Sequence, residues 1–322
     1  MPKFRSILLG AMGVLLALAA PVAAADDYPN RPVRLIIPFP PGGSNDVVGR
    51  LIGTKLSEKL GKQVIVDNRA GAGGTVGTEI VSNAPADGYT LGVVSIAHAV
   101  NPWLYKLPYD PKKLAPVGLM ATGTNVLVIH PSLPVRSVKE LIALAKQKPG
   151  ELQYASAGIG SFQHLGTELF KLEAGINLLH VPFRGGGPSM NDVLGGHTKI
   201  MMSSLVQTTG HIKSGRLIAL ATGGKQRSPI LPDVPTVAEA GVPSYEALNW
   251  WGIVAPAGTP PAILAKVNAA LSQVQDLPDV QKQFDLQGAT VRKMSPDEFG
   301  KFVLAEMSRW ERVVKEAGIK AQ

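Results

Sequence analysis

Cysteine is absent from the 322 residues, which excludes disulfides, thiolate metal sites and cysteine nucleophiles. The six histidines form no HExxH or comparable cluster, so nothing nominates a catalytic metal or another cofactor. There is no GxSxG elbow, and no acidic side chain is placed beside a histidine as a triad requires. No pair of carboxylates stands out for glycoside chemistry. Neither a P-loop nor the GxGxxG spacing of a dinucleotide fold occurs. The formal net charge is +8, yet no block of Lys and Arg and no basic helix concentrates it, which argues against a nucleic-acid partner. Internal repeats, low-complexity tracts and coiled-coil heptads are missing too.

A single long apolar run, residues 7–20, follows Lys3 and Arg5 and precedes Ala23-Ala24-Ala25. It is short for a membrane span, and its flanks suit a signal peptide over residues 1–25, cleaved near Ala25. An uncleaved anchor is the alternative. Taking Lys3 and Arg5 from the 32 basic side chains leaves 30 against 24 acidic ones, compatible with an anionic small molecule and equally with a soluble basic surface.

Glycine and proline, 35 and 26 in number, are plentiful, and they mark strand-to-helix turns. Residues 33–37 are an apolar, partly β-branched run that predicts a strand covered on both faces. Pro38, Pro40 and Pro41 bar its continuation, and Gly42 and Gly43 allow close approach of the backbone. Ser44, Asn45 and Asp46 are good helix caps, with Val47, Val48, Leu51, Ile52, Leu56 and Leu60 at helical spacing behind them. A glycine turn opening into a helix N-terminus is a natural anion site, and it is also an ordinary tight connection. The segment QYASAGIGSFQH, residues 153–164, repeats the arrangement.

Further strands are expected over 63–66, 90–95, 125–130, 178–181, 199–202, 217–221 and 249–255. Helices are expected over 75–83, from Ser137, over 188–194 and 208–213, from Thr259 to about 275, and from Ser295 onward. Alternation of this kind predicts two α/β sheets with ligands beyond the carboxyl ends of their strands, where the two glycine turns, the 68–74 loop and Ser95 would lie.

The motifs VRLIIPFPPGGSNDVVGR, VIVDNRAGAGGTVGTEIVSNAPADGYTL, HVPFRGGGPSMNDVLGG and SPILPDVPTVAEAGVPSYEALNWWGIVAPAGTP resemble the Bug-type substrate-binding proteins of tripartite tricarboxylate transporters. The likeness covers nearly the whole chain after the leader. It implies a two-lobed α/β periplasmic binding protein of type II, the Venus-flytrap architecture, with its ligand cleft between two α/β domains. One lobe is expected to hold residues 26–123 with 236–322 and the other 124–235, the crossings lying near 122–125 and 223–236.

The implied function is capture of a small organic acid, a di- or tricarboxylate or an aromatic carboxylate. Delivery to membrane transporter subunits follows, by a periplasmic monomer without enzymatic activity. By matching positions, Phe39, Pro40, Gly42, Gly43, Ser44 and Asp46 belong to the first ligand loop. Ala157, Gly158, Gly160, Ser161 and His164 belong to the second. A carboxylate at Asp46 would repel a carboxylate ligand, so capping and loop order come ahead of contact for it. His164 either adds an N–H to the cleft or is satisfied locally. Arg184 suits bidentate pairing with a carboxylate, a solvated outward side chain being the alternative.

His180 is read as structural, and Trp250 and Trp251 as core unless one walls the pocket. Ser203 stands where relatives resembling MFDNLPSALPHIKAG carry an acid, which leans toward a plain carboxylate ligand over an amino acid. Two other readings remain. One is a ligand sensor for a membrane kinase, and the other is a hydrolase using Ser161 and His164.

Overall fold

Val33, Leu35, Ile36 and Ile37 are fully enclosed, so the run that opens the fold is a strand covered on both faces. Each such side chain contributes about 1.5–3 kcal/mol by leaving water. The structure, a computed structural model, describes residues 27–320. The expected signal peptide and its cleavage near Ala25 lie outside the described residues.

The elements in chain order are β1 (Val33–Ile37), α1 (Ser44–Leu60), β2 (Val64–Asn68), α2 (Thr75–Ser82), β3 (Thr90–Ser95), α3 (Ile96–Leu104) and β4 (Ala115–Ile129). Then come α4 (Val138–Gln147), β5 (Gln153–Ser156), α5 (Phe162–Ala174), β6 (Leu179–Pro182), α6 (Gly186–Leu194), β7 (Ile200–Ser204), α7 (Leu205–Lys213) and β8 (Ile218–Thr222). The chain closes with β9 (Leu248–Ala255), α8 (Pro261–Gln275), α9 (Pro278–Leu286), β10 (Ala289–Thr290) and α10 (Pro296–Glu316).

The strands do not form two separate sheets. They follow one path, β2-β1-β3-β9-β4-β7-β5-β6, with β8 and β10 also on β4. The joint is β4 itself. Its residues 115–124 pair with β9, and residues 125–129 pair with β7. On each side of that joint the order is equivalent, β2-β1-β3-β9 in one unit and β6-β5-β7-β4 in the other, the last strand antiparallel in both. Consequently α1 and α5 leave equivalent strands, as do α2 and α6, and α3 and α7.

Four elements depart from the sequence reading. The first half of β4 carries Pro116, Gly118 and Gly123, residues that weaken a strand pattern, and its pairing with β9 shifts register twice. Helix α3 follows β3 with no turn residue between them and contains Pro102, so no start signal marked it after the strand expected over 90–95. The short α9 and β10 had no pattern long enough to register. By contrast α10 begins with a full capping box between Ser295 and Glu298, the start signal read from sequence.

One apolar cluster packs α1 and α8 on the first unit. Another joins α4 and α5 to Val237, Val242, Tyr245 and Ala247, and takes in Trp310, Val313 and Val314 of α10. The last turns of α10 therefore reach across to the second unit. Among the described residues no helix is long and apolar enough to cross a membrane.

Candidate functional site

Prolines 38, 40 and 41 end β1, and Gly42 adopts φ +84°, a backbone region that L side chains rarely adopt. This brings Gly43 to the N-cap of α1 in extended conformation with no side-chain cap. As at any helix start, the N–H groups of Ser44 and Asn45 have no carbonyl one turn back. The turn is held from behind by Asp46. Its Oδ2 accepts from Gly42 N at 3.1 Å, and its Oδ1 accepts from Arg50 Nε at 2.9 Å and Asn68 Nδ2 at 2.8 Å. Asn68 Nδ2 also donates to Phe39 O at 2.9 Å. Burial pushes the Asp46 carboxyl pKa up, but the bonds from Arg50, Asn68 and Gly42 outweigh it and leave it below the usual range.

The β5–α5 turn is built differently. Ser161 caps α5, its Oγ accepting from His164 N. Gly158 N donates to Ser156 Oγ at 3.1 Å, and Gly160 N donates to His164 Nδ1 at 3.2 Å. Ser156 Oγ in turn lies 2.6 Å from His180 Nε2. The two imidazoles stack at 4.2 Å, and Tyr154 stacks on the other face of His180 at 4.8 Å. Burial pushes the His164 pKa down to about 4, with Lys171 adding to it. Burial, then His164, pushes His180 down to about 3. Both rings are therefore neutral near pH 7.

Between the turns lies a small inner cavity of about 20 Å³, the space of about one water. Four helices begin on it: α1 through Gly43 to Asn45, α3 through Ser95 and Ala97, α5 through Ser161 to Gln163, and α6 through Gly186. Each N-terminus presents N–H groups and the positive end of a helix dipole. Two of its lining residues, Asn45 and Asn249, each keep a buried Oδ1 with no partner in the protein. An unmet buried acceptor costs about 1–3 kcal/mol, so a donor on a ligand or bridging water would be favoured there.

Phe39 and Ala157 line this cavity and also an outer chamber of about 440 Å³, so the two adjoin. Loop residues Ala70 to Gly74, Pro40, Gly158, Phe183 and Arg184 complete the chamber. Arg184 is its charged side chain, is exposed, and takes part in no ion pair among the described residues.

Of the residues expected from sequence, Phe39, Pro40, Gly43, Ser44, Ser95, Ala157, Gly158, Ser161 and Arg184 lie on these two cavities. The other five stand apart from both. Gly42 and Asp46 bond to each other. Gly160 turns its N–H onto His164, which is buried in the ring stack. Ser203 is fully enclosed in β7, its Oγ donating to Gln207 Oε1 at 3.2 Å.

The Ser161–His164 pairing of a hydrolase is not formed, because Ser161 Oγ meets the backbone N–H of His164 while the ring turns away. Trp250 donates Nε1 to Glu306 at 2.9 Å, and both tryptophans are core. Among the described residues no three His, Asp or Glu side chains stand close enough to hold a metal ion.

Asn249 was missed as a lining residue, although a polar residue directly before Trp250-Trp251 in an otherwise buried strand is a signal. Phe183 and Gly186 were missed as well, despite lying within HVPFRGGG.

A family model described as tripartite tricarboxylate transporter family receptor matches residues 48–319. The chain is 40% identical over 320 residues to Protein BugT of Bordetella pertussis, covering 97% of this chain and 98% of that protein. The solved structure of R. palustris Rpa4515 with adipate superposes with a TM-score of 0.89 at 37% identity, covering 92% of this chain and 100% of that one. The structure of periplasmic binding protein BugD gives 0.88 at 34% identity, over 92% and 100% of the two chains.

Proposed function

The chain belongs to the tripartite tricarboxylate transporter receptor family, and from that premise we propose how its cleft takes a ligand. It is a solute-binding receptor for a tripartite transporter, with a two-lobed periplasmic-binding-protein fold that takes a small organic carboxylate. One carboxylate of that ligand enters between the helix starts at Gly43, Ser95, Ser161 and Gly186, displacing or bridging through the water-sized inner space. The body lies in the outer chamber between Phe39 and Phe183, and a second anionic end meets Arg184. The observation that carries this reading is the convergence of four helix N-termini beside a chamber whose charged lining group is a cation.

Capture shifts the lobes toward the closed state, because there alone both turns reach the ligand. The lobes are residues 26–123 with the C-terminal part, and a middle part from 124. Packing of Val237 to Ala247 with α4 and α5 supports extending that middle part from 235 to about 247. The receptor works as a periplasmic monomer and releases its ligand chemically unchanged.

The test is calorimetric titration of residues 26–322, denatured and refolded to remove carried ligand, with adipate and with its monoamide. A charge-assisted hydrogen bond contributes about 1.5–3 kcal/mol, so the monoamide binds at least about tenfold more weakly. Arg184→Gln narrows that gap, since it removes the partner of the second carboxylate. Equal affinity for adipate and its diamide would sink the arrangement.

A further inference from the structure

Where α6 begins, the cleft is bridged by backbone against backbone. Gly185, Gly186 and Gly187 start α6 in the second unit and rest on the 40–43 turn of the first. A Cβ on Gly187 would fall 2.6 Å from Pro41 O, with Gly42 Cα at 3.7 Å. On Gly185 it would fall 2.2 Å from Pro40 Cγ. On Gly186 it would meet Gly43 Cα at 3.1 Å. From the opposite side, a Cβ on Gly43 would meet Gly186 Cα at 3.6 Å.

The contact is buttressed from within its own unit, where Gln207 Nε2 donates to Gly186 O at 2.6 Å and Ser203 Oγ holds Gln207. It stands between the inner cavity, lined by Gly43 and Gly186, and a separate opening of about 310 Å³ lined by Gly42 and Gly187. Across the cleft, Tyr105 Oη donates to Ile159 O at 3.3 Å.

We propose that Gly185–Gly187 is a closure latch: the missing side chains let α6 seat on the 40–43 turn, and that seating brings Gly43 and the start of α1 to the ligand. The inference rests on the cleft being the ligand site. Gly187 is the positioning residue that isolates it. The atoms its Cβ would strike all belong to the first unit, so the collision exists in the closed form and vanishes when the lobes part. Gly187 is helical, without a positive φ, so alanine suits its backbone better than glycine does. A latch and a merely structural glycine therefore predict opposite signs for the unliganded protein.

The experiment uses Gly187→Ala, with Gly210→Ala as control. Gly210 lies in α7 with no atom within 4 Å of its Cβ position. The chain has no cysteine, so nitroxide labels at Lys62→Cys and Lys146→Cys, both exposed, report the distance between units by pulsed electron resonance. Each variant is measured without and with adipate, and its affinity is titrated.

For Gly187→Ala the expected result is an unliganded Tm equal to or above wild type, a smaller closed population, and affinity at least about tenfold weaker. Gly210→Ala raises Tm while leaving distances and affinity unchanged. Closed population and affinity like wild type in Gly187→Ala would overturn the latch. So would a lowered unliganded Tm, or a wild type that never populates the short distance. Failure of wild type to bind adipate counts against the ligand assignment instead, and the closed population still judges the latch.

Discussion

The β1–α1 and β5–α5 turns occupy equivalent places in the two units, and in both the third helical residue accepts the N–H of the glycine before the cap, Asp46 from Gly42 and His164 from Gly160, yet they differ at the cap itself. The first caps its helix with Gly43, which has no side chain to offer, and its Asp46 is tied in turn to Arg50 and to Asn68 at the end of β2. The second is fastened by its own residues, Ser161 and His164, over the His180 ring. An uncapped helix start leaves donors for a ligand, whereas a self-capped one supplies a fixed wall. On the proposed arrangement the first turn supplies free donors and the second a capped wall.

Breaking the Asp46 fastening has the largest expected effect. Asp46→Ala removes the acceptor of Gly42 N–H and the partner of Arg50 and Asn68, at a residue 5% exposed. A buried, charge-assisted hub of this kind contributes about 3 kcal/mol, discounted for the half-exposed Arg50. Denaturant unfolding of the refolded protein measures it, and the affinity for adipate falls with it because Gly43 is no longer held. Asp46→Asn retains part of both. A variant with wild-type stability and affinity would show that the turn is held by its prolines alone.

The second comparison is in pH. The His164 and His180 pKa values are depressed in the fold, to about 4 and about 3, so the unfolded chain binds more protons below its ordinary histidine pKa of about 6.5. Stability from the ring stack is therefore fully present above about pH 6.5 and is lost as pH falls toward 4 and then 3. Protonating His164 also removes Nδ1 as acceptor for Gly160 N–H, loosening the turn that lines the inner cavity. A series of Tm measurements from pH 7 to 4 shows the decline, and His164→Gln flattens it. A wild type and variant with parallel pH profiles would remove the histidines as its source.

What the sequence made legible follows from how local the signals are. Proline, glycine and cap residues within 38–46 act on their own neighbours, so the first turn could be read without a fold. The Ser295 capping box is equally local. Sidedness was not legible for Ser203, because all five residues of β7 are buried and no alternation marks which face carries the site. His164 needed knowledge that β6 pairs beside β5, which brings His180 from 16 residues away. Asn249 reaches the cavity through the antiparallel insertion of β9 between β3 and β4, a pairing over more than a hundred residues that no motif announces. The same holds for the glycines of α6, whose reason lies on the other unit.

The smallest expected effect comes from making the second turn resemble the first. Ser161→Ala takes away the acceptor for His164 N–H, a cap loss of about 1 kcal/mol. Ser161→Gly costs only a few tenths, ~0.3 kcal/mol, because glycine is itself an acceptable cap residue. The Ser161→Gly variant thus carries the same cap residue as Gly43 while keeping the ring stack, and its His164 N–H becomes available to a ligand. If rigidity of this wall matters more than donor number, adipate affinity falls in Ser161→Gly despite the near-unchanged stability. If free donors matter more, affinity holds or rises. Calorimetric titration of both variants decides between them, and a loss tracking stability in both would mean that the two turns differ in construction but not in what they do for the ligand.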